Sequence, residues 1–219
     1  MMSDAAVIVF ARVPRLGEVK SRIAARMGPE LALSVHRQLL RRVLEQVTEL
    51  EASVRELCIA GADSDGECAS LAREFGLSIA TQVGKDLGER MYQRLAHHNR
   101  LERRAVLVGA DCPWLRSCDL RQALDALEQH EHVFAPAFDG GYVLVGSRCA
   151  RPEVFQEIVW GSSRVMSQTL EQLARLNARA FLLPSFRDVD EWDDWLAWVS
   201  ETSHPAGAER NEHGGRGIA

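Results

Sequence analysis

The sequence predicts a three-layer α/β/α sandwich around a central mixed, mostly parallel sheet. Short apolar, β-branched runs alternate with amphipathic segments of helical period along most of the chain, the pattern of parallel strands joined by crossover helices. The 219 residues, 46% of them hydrophobic, are enough for one core of useful size, so a single domain over residues 1–199 is expected. Two strand-like runs flank Phe138–Gly141 with no helix between them, and an antiparallel turn there makes the sheet mixed.

Val7–Ala11 is an apolar run closed by Pro14 and Gly17, a buried strand that empties into a loop. From Pro29, a favourable first helical residue, Leu31, Val35, Leu39, Val43, Val47 and Leu50 recur every three to four positions with charged residues between them, a helix with one apolar face. The alternation continues with Val54–Ala60 as strand, Gly66–Phe75 as helix, Leu77–Gln82 as strand, Leu87–Leu101 as helix and Ala105–Gly109 as strand. Ser117 is an expected cap for a helix over Leu120–Gln129. Val133–Ala137 and Tyr142–Ser147 are strands, Ser163–Leu176 a helix and Ala180–Leu183 a last strand. Glu191–Val199 is a final helix carrying Trp192, Trp195 and Trp198 on one face. Beyond it, apolar periodicity stops, and residues 200–219 are expected to form a flexible tail.

The net charge of −5 and the lack of a long basic run argue against a general hold on nucleic acid. No stretch is long and apolar enough for a membrane span and the start lacks a signal peptide's pattern, so a cytoplasmic protein is expected. Cys58, Cys68, Cys112, Cys118 and Cys149 form no C-x-x-C pair and are expected as free thiols. His97, His98, His130 and His132 lack neighbours at ligand spacing and read as core or solvated histidines.

Ligands of open parallel sheets sit outside the carboxyl ends of the strands, so the residues that follow strands carry the information. After the first strand, Phe10 to Arg22 brings Arg12, Arg15, Lys20 and Arg22 together with Gly17, a loop suited to a polyphosphate or equally to solvent. Asp111, at the end of a buried strand and before Cys112-Pro113, suits either a hard divalent ion such as Mg²⁺ or a turn. Asp139-Gly140-Gly141 joins a carboxylate to glycines that would let backbone approach a ligand, or makes a tight turn. Asp188 and Asp190, two apart in an extended segment, share a face with Val189 behind them. Three acidic positions and one basic loop, all following strands of one sheet, point to metal-assisted phosphate chemistry.

These segments, with Asp86-Leu87-Gly88-Glu89-Arg90-Met91, carry a resemblance. Over about residues 5–199 the sequence resembles the bacterial DUF2064 proteins, also called glycosyltransferase-like or radical-SAM/selenodomain-associated transferases, of the nucleotide-diphospho-sugar transferase superfamily. The resemblance implies a Rossmann-like GT-A fold, a nucleotide over the N-terminal half of the sheet, and Mg²⁺ or Mn²⁺ held by Asp111 and Asp190 with Asp188 supporting. Superfamily members include guanylyltransferases for phospholactate and molybdenum cofactor. Arg12 stands where the pattern has Lys, Ser21 where it has Thr, and Glu191-Trp192 where it has Thr-Pro.

The expected activity is nucleotidyl transfer from an NTP to a phosphorylated small molecule, with glycosyl transfer from an NDP-sugar and non-catalytic nucleotide binding as alternatives. Ala11, Arg12, Pro14, Gly17, Lys20, Arg22, Gly88, Glu89 and Asp111 are the expected nucleotide contacts. Lys20, Arg22 and Asp139 are the expected catalytic residues: Lys20, with Arg12 and Arg22, neutralises the β and γ phosphates, Asp139 with Gly140 and Gly141 shapes the acceptor side and in glycosyl transfer acts on an acceptor hydroxyl, and Gly88 and Glu89 lie near base or ribose.

Overall fold

A computed structural model describes residues 4–203 and 216–218. The first strand, β1 (Ala5–Arg12), is buried along almost its full length because its side chains alternate between two apolar layers. Ala5, Val7 and Val9 face one layer; Ala6, Ile8 and Phe10 face the other. β2 (Val54–Ala60) and β4 (Arg104–Gly109) flank it in parallel, and β3 (Ser78–Thr81) lies outside β2. β6 (Tyr142–Ser147) runs antiparallel between β4 and β5 (His132–Pro136), and β7 (Ala180–Leu182) pairs in parallel with β5. With β8 (Arg216–Ile218), the sheet has eight strands among the described residues, in the order β3-β2-β1-β4-β6-β5-β7-β8.

Helices α1 (Ser21–Met27), α2 (Pro29–Thr48), α3 (Glu67–Glu74), α5 (Ser117–Ala126) and α7 (Trp192–Ser203) cover one face. The other carries α4 (Leu87–Asn99), a short 3-10 turn over Pro152–Phe155 and α6 (Val165–Arg175). The three-layer mixed architecture is therefore the expected one. Trp195 is buried against the first face, with Trp192 and Trp198 beside it, and the five cysteines are free thiols.

Several expectations need correction. α1 lies within the stretch read as loop, set off from α2 by Gly28 at φ 92, a conformation that costs glycine little. Ser117 is the first residue of α5 and not its cap; the Asp119 carboxylate accepts from the Arg116 N–H at 2.9 Å to close that end. At the far end α7 continues to Ser203, and residues 216–218 pair antiparallel with β7. The remainder of the expected tail lies outside the described residues. Among those described, no helix is long and apolar enough to cross a membrane.

Candidate active site

The loop after β1 is tied down before it reaches any ligand. Val13 N–H donates to the Ala60 carbonyl at 3.0 Å, and the Arg15 guanidinium donates to Ala62 O and Ser64 Oγ at 2.6 and 3.1 Å. Lys20 then caps α1 in the left-handed conformation, φ 48 and ψ 52, which costs a non-glycine residue about 1–3 kcal/mol. Its side chain is only 5% exposed. The ammonium lies 2.7 Å from Asp111 Oδ1 and 3.7 Å from Asp190 Oδ1, and donates to the Val189 carbonyl at 2.5 Å. An unpaired charge would not tolerate that burial, so these oxygens explain both the strain and the position.

The opposite wall is one unit. Val189 N–H donates to the Asp111 carbonyl at 2.9 Å, which holds the segment before α7 against the end of β4. The Val189 side chain is fully buried beneath, so its neighbours Asp188 and Asp190 emerge together, as the period of two requires. Arg22 reaches Asp190 at 3.3 Å, and Arg26 pairs with Asp193 through two 2.9 Å bonds, so basic α1 lies against the acidic start of α7.

Between these walls a cleft of about 510 Å³ opens at the carboxyl ends of β1 and β4. Ala11, Arg12, Lys20, Arg22 and Asp111, expected as nucleotide contacts, line it together with Asp190, expected as a metal ligand. The remaining expected nucleotide contacts do not. Pro14 and Gly17 lie outside that lining, in a loop held toward β2. Gly88 is buried against Trp160, and the Glu89 carboxylate accepts from Lys85 N–H at 2.8 Å while Asp86, the cap of α4, accepts from Glu89 N–H. Their sequence neighbours Leu87 and Arg90 line the cleft in their place.

Asp139 lines a separate side cavity of about 410 Å³ with Asp188 and Asp190, beside the exposed Phe138 ring. The glycines beside it are held by packing and a local turn. A Cβ on Gly140, at φ 92, would stand 2.0 Å from the Ser163 carbonyl oxygen, and the Gly140 carbonyl accepts from Met166 N–H. Gly141 N–H donates to Asp139 Oδ1 at 2.8 Å, a local turn. Burial, then the charges of Asp190 and Asp139, push the Asp188 carboxyl up to about 6.

Three cleft residues escaped the reading of the sequence. Gln82 donates its amide to the Ala11 and Cys58 carbonyls at 3.3 and 3.1 Å, which turns its oxygen into an acceptor with a fixed orientation. Arg90 is held by the Gly84 carbonyl through Nε at 3.1 Å. His36, on the buried face of α2, meets the Arg12 carbonyl through Nε2 at 3.1 Å, and burial lowers its pKa. Only the strand-end position of Gln82 was legible beforehand.

No group of three or more His, Cys, Asp or Glu side chains gathers as a metal site among the described residues, so Asp111, Asp188 and Asp190 do not converge as a set of three. The donor chemistry nevertheless suits a hard cation. A lysine ammonium is accommodated there by two carboxylates and a carbonyl oxygen, and Mg²⁺ commonly takes one or two carboxylates and keeps its waters.

Comparison with known proteins agrees with this architecture. The profile of DUF2064, described as an uncharacterized protein conserved in bacteria, matches residues 43–162. A phosphoenolpyruvate guanylyltransferase from Sphaerobacter thermophilus is 30% identical over 132 residues; the match spans 59% of this chain and 61% of that protein. The crystal structure of a candidate nucleotide-diphospho-sugar transferase from Desulfovibrio desulfuricans G20 superposes with a TM-score of 0.83 at 30% identity, covering 91% of this chain and 88% of the other. A 4-diphosphocytidyl-2C-methyl-D-erythritol synthase from Anaerococcus prevotii shares the fold at 10% identity, with a TM-score of 0.63 and coverage of 93% and 100%.

Proposed function

The chain belongs to the DUF2064 family, and from that premise we propose that it is a divalent-metal-dependent nucleotidyltransferase, joining the nucleotide of an NTP to a phosphorylated small molecule with release of pyrophosphate. The observation that carries this reading is the cleft at the ends of β1 and β4. It sets Arg12, Lys20, Arg22 and Arg90 beside Asp111 and Asp190 in a space of nucleotide size. The guanylyltransferase relative, matched over 61% of its length, and the transferase-like solved structure support the same class.

The residues divide the work by charge. Arg12, Lys20 and Arg22 neutralise the β and γ phosphates as the pyrophosphate leaves, which preorganised cations do better than water. Gln82 and Arg90, fixed by backbone carbonyls, present one acceptor and one cation at the sheet end of the cleft, where base and ribose are read. Asp111 and Asp190 would hold Mg²⁺ or Mn²⁺, which supplies charge neutralisation across the triphosphate. A phosphate acceptor is already ionised, so no side chain need take a proton from it.

A second reading is glycosyl transfer from an NDP-sugar, favoured by the side cavity in which Asp139 and Asp188 could accept a proton from an acceptor hydroxyl. The deciding experiment incubates the protein with Mg²⁺, each of the four NTPs or UDP- and GDP-glucose, and phosphoenolpyruvate or 2-phospholactate. Pyrophosphate release dependent on NTP and acceptor supports the proposal; nucleoside diphosphate release from the sugar nucleotides supports the second reading. Binding without either product leaves a nucleotide-binding protein without turnover.

A further inference from the structure

We propose that the Lys20 ammonium is a built-in substitute for the divalent cation, so that the metal site opens only when a nucleotide draws Lys20 away. This rests on the reading of the cleft as a metal-nucleotide site. The Asp111 and Asp190 carboxylates and the Val189 carbonyl surround the Lys20 ammonium, at 2.7, 3.7 and 2.5 Å. A dication entering among the same oxygens would meet that ammonium at contact distance, and although the carboxylates face solvent the ammonium itself is only 5% exposed, so the two like charges repel. Lys20 and the metal therefore compete for one set of donors.

Two features fit a group made to leave. Of the 26 basic residues only Lys20 and Lys85 are lysines, and the chain places one of the two here, where a compact ammonium on a flexible stem can swing away as a planar guanidinium could not. Lys20, the cap of α1, is also held at φ 48 and ψ 52; its backbone stays with the helix through the Ala24 N–H bond to its carbonyl, while its side chain is held by two carboxylates and the Val189 carbonyl, partners that another anion can replace. A triphosphate is such an anion: its oxygens would take Lys20 and leave Asp111 and Asp190 to hold the divalent cation beside bound nucleotide. The competition protects the apo protein from idle metal binding and makes nucleotide and metal strengthen each other, as linkage requires.

The test measures Mn²⁺ alone by electron paramagnetic resonance, with the native chain, Lys20→Ala and Lys20→Met, in the absence of nucleotide. The native chain should bind Mn²⁺ at least tenfold more weakly than either variant, and adding GTP should tighten native binding at least tenfold. Lys20→Ala combined with Asp111→Asn should lose the gain. Equal Mn²⁺ affinity in the native chain and both variants overturns the proposal. Circular dichroism checks folding. Should both variants fail to fold, the native chain decides: binding of Mn²⁺ that GTP does not tighten, although GTP itself binds in a thermal-shift assay, overturns it. If the variants gain Mn²⁺ but no nucleotide binds to any form, the competition stands and the nucleotidyltransferase reading falls.

Discussion

Gly88 packs against the indole of Trp160 so closely that a Cβ at residue 88 would stand 2.4 Å from Cζ2 of that ring and 2.8 Å from the Phe155 carbonyl oxygen. The glycine therefore docks the first turn of α4 onto the segment between the 3-10 turn and α6. Gly88→Ala is expected to cost about 1–3 kcal/mol through overpacking, read by urea denaturation, with Trp160→Ala in the same chain restoring part of it. If Gly88→Ala instead abolishes nucleotide binding at unchanged stability, the residue belongs to the ligand.

Lys20→Ala should weaken GTP binding by about tenfold, about 1.4 kcal/mol, and leave GMP nearly unchanged, because the lost charge is assigned to the outer phosphates. Isothermal titration in EDTA separates this from metal effects. An equal loss for GTP and GMP would move Lys20 away from the β and γ groups.

The strands and helices were legible because local pattern and tertiary burial agree: β1 reads as an unbroken apolar run since both of its faces are covered. The strand-end rule likewise located Lys20, Arg22, Asp111 and Asp190. What escaped depends on contacts remote in sequence. Arg15 resembles a phosphate ligand until its bonds to Ala62 and Ser64 appear, and Gly88 resembles a ligand-approach glycine until Trp160, 72 positions away, stands over it. α1 was hidden because its start is a left-handed lysine and its end a glycine, neither of them the usual helix signal in that order.

His132 opens β5 fully buried, with neither ring nitrogen hydrogen-bonded and its ring 6.3 Å from that of Phe134. Burial lowers its pKa from 6.5 to about 4, with Glu131 opposing and Arg151 adding to the shift. Above pH 6.5 the ring is neutral folded or unfolded. Between 6.5 and 4 the unfolded chain takes up a proton that the fold refuses, so stability falls with pH, by up to about 3 kcal/mol. Urea melts at pH 7.5 and 5.0 should show a smaller acid loss in His132→Leu than in the native chain. Identical losses would assign the acid sensitivity elsewhere.

Asp188 and Asp190 should respond oppositely to the same substitution, although both emerge from one extended segment. The Asp188 carboxyl, pushed up to about 6 by burial and by Asp190 and Asp139, holds its proton more tightly folded than unfolded. Its share of stability is therefore complete at low pH and lost as pH rises through about 4 to 6, so at pH 7.5 the ionised group opposes folding. Asp188→Asn removes that charge and should raise the melting temperature in EDTA. Asp190 instead faces Lys20 at 3.7 Å and Arg22 at 3.3 Å, and Asp190→Asn should lower it. The change at Asp190 should be within about 1 kcal/mol, because that carboxylate is 43% exposed and its pairing with Arg22 is screened. Adding Mn²⁺ and GTP should raise the melting temperature of the native chain most, Asp188→Asn less and Asp190→Asn least, since the carboxylate beside Lys20 is the one assigned to the metal. The reverse order of the two variants would exchange their roles.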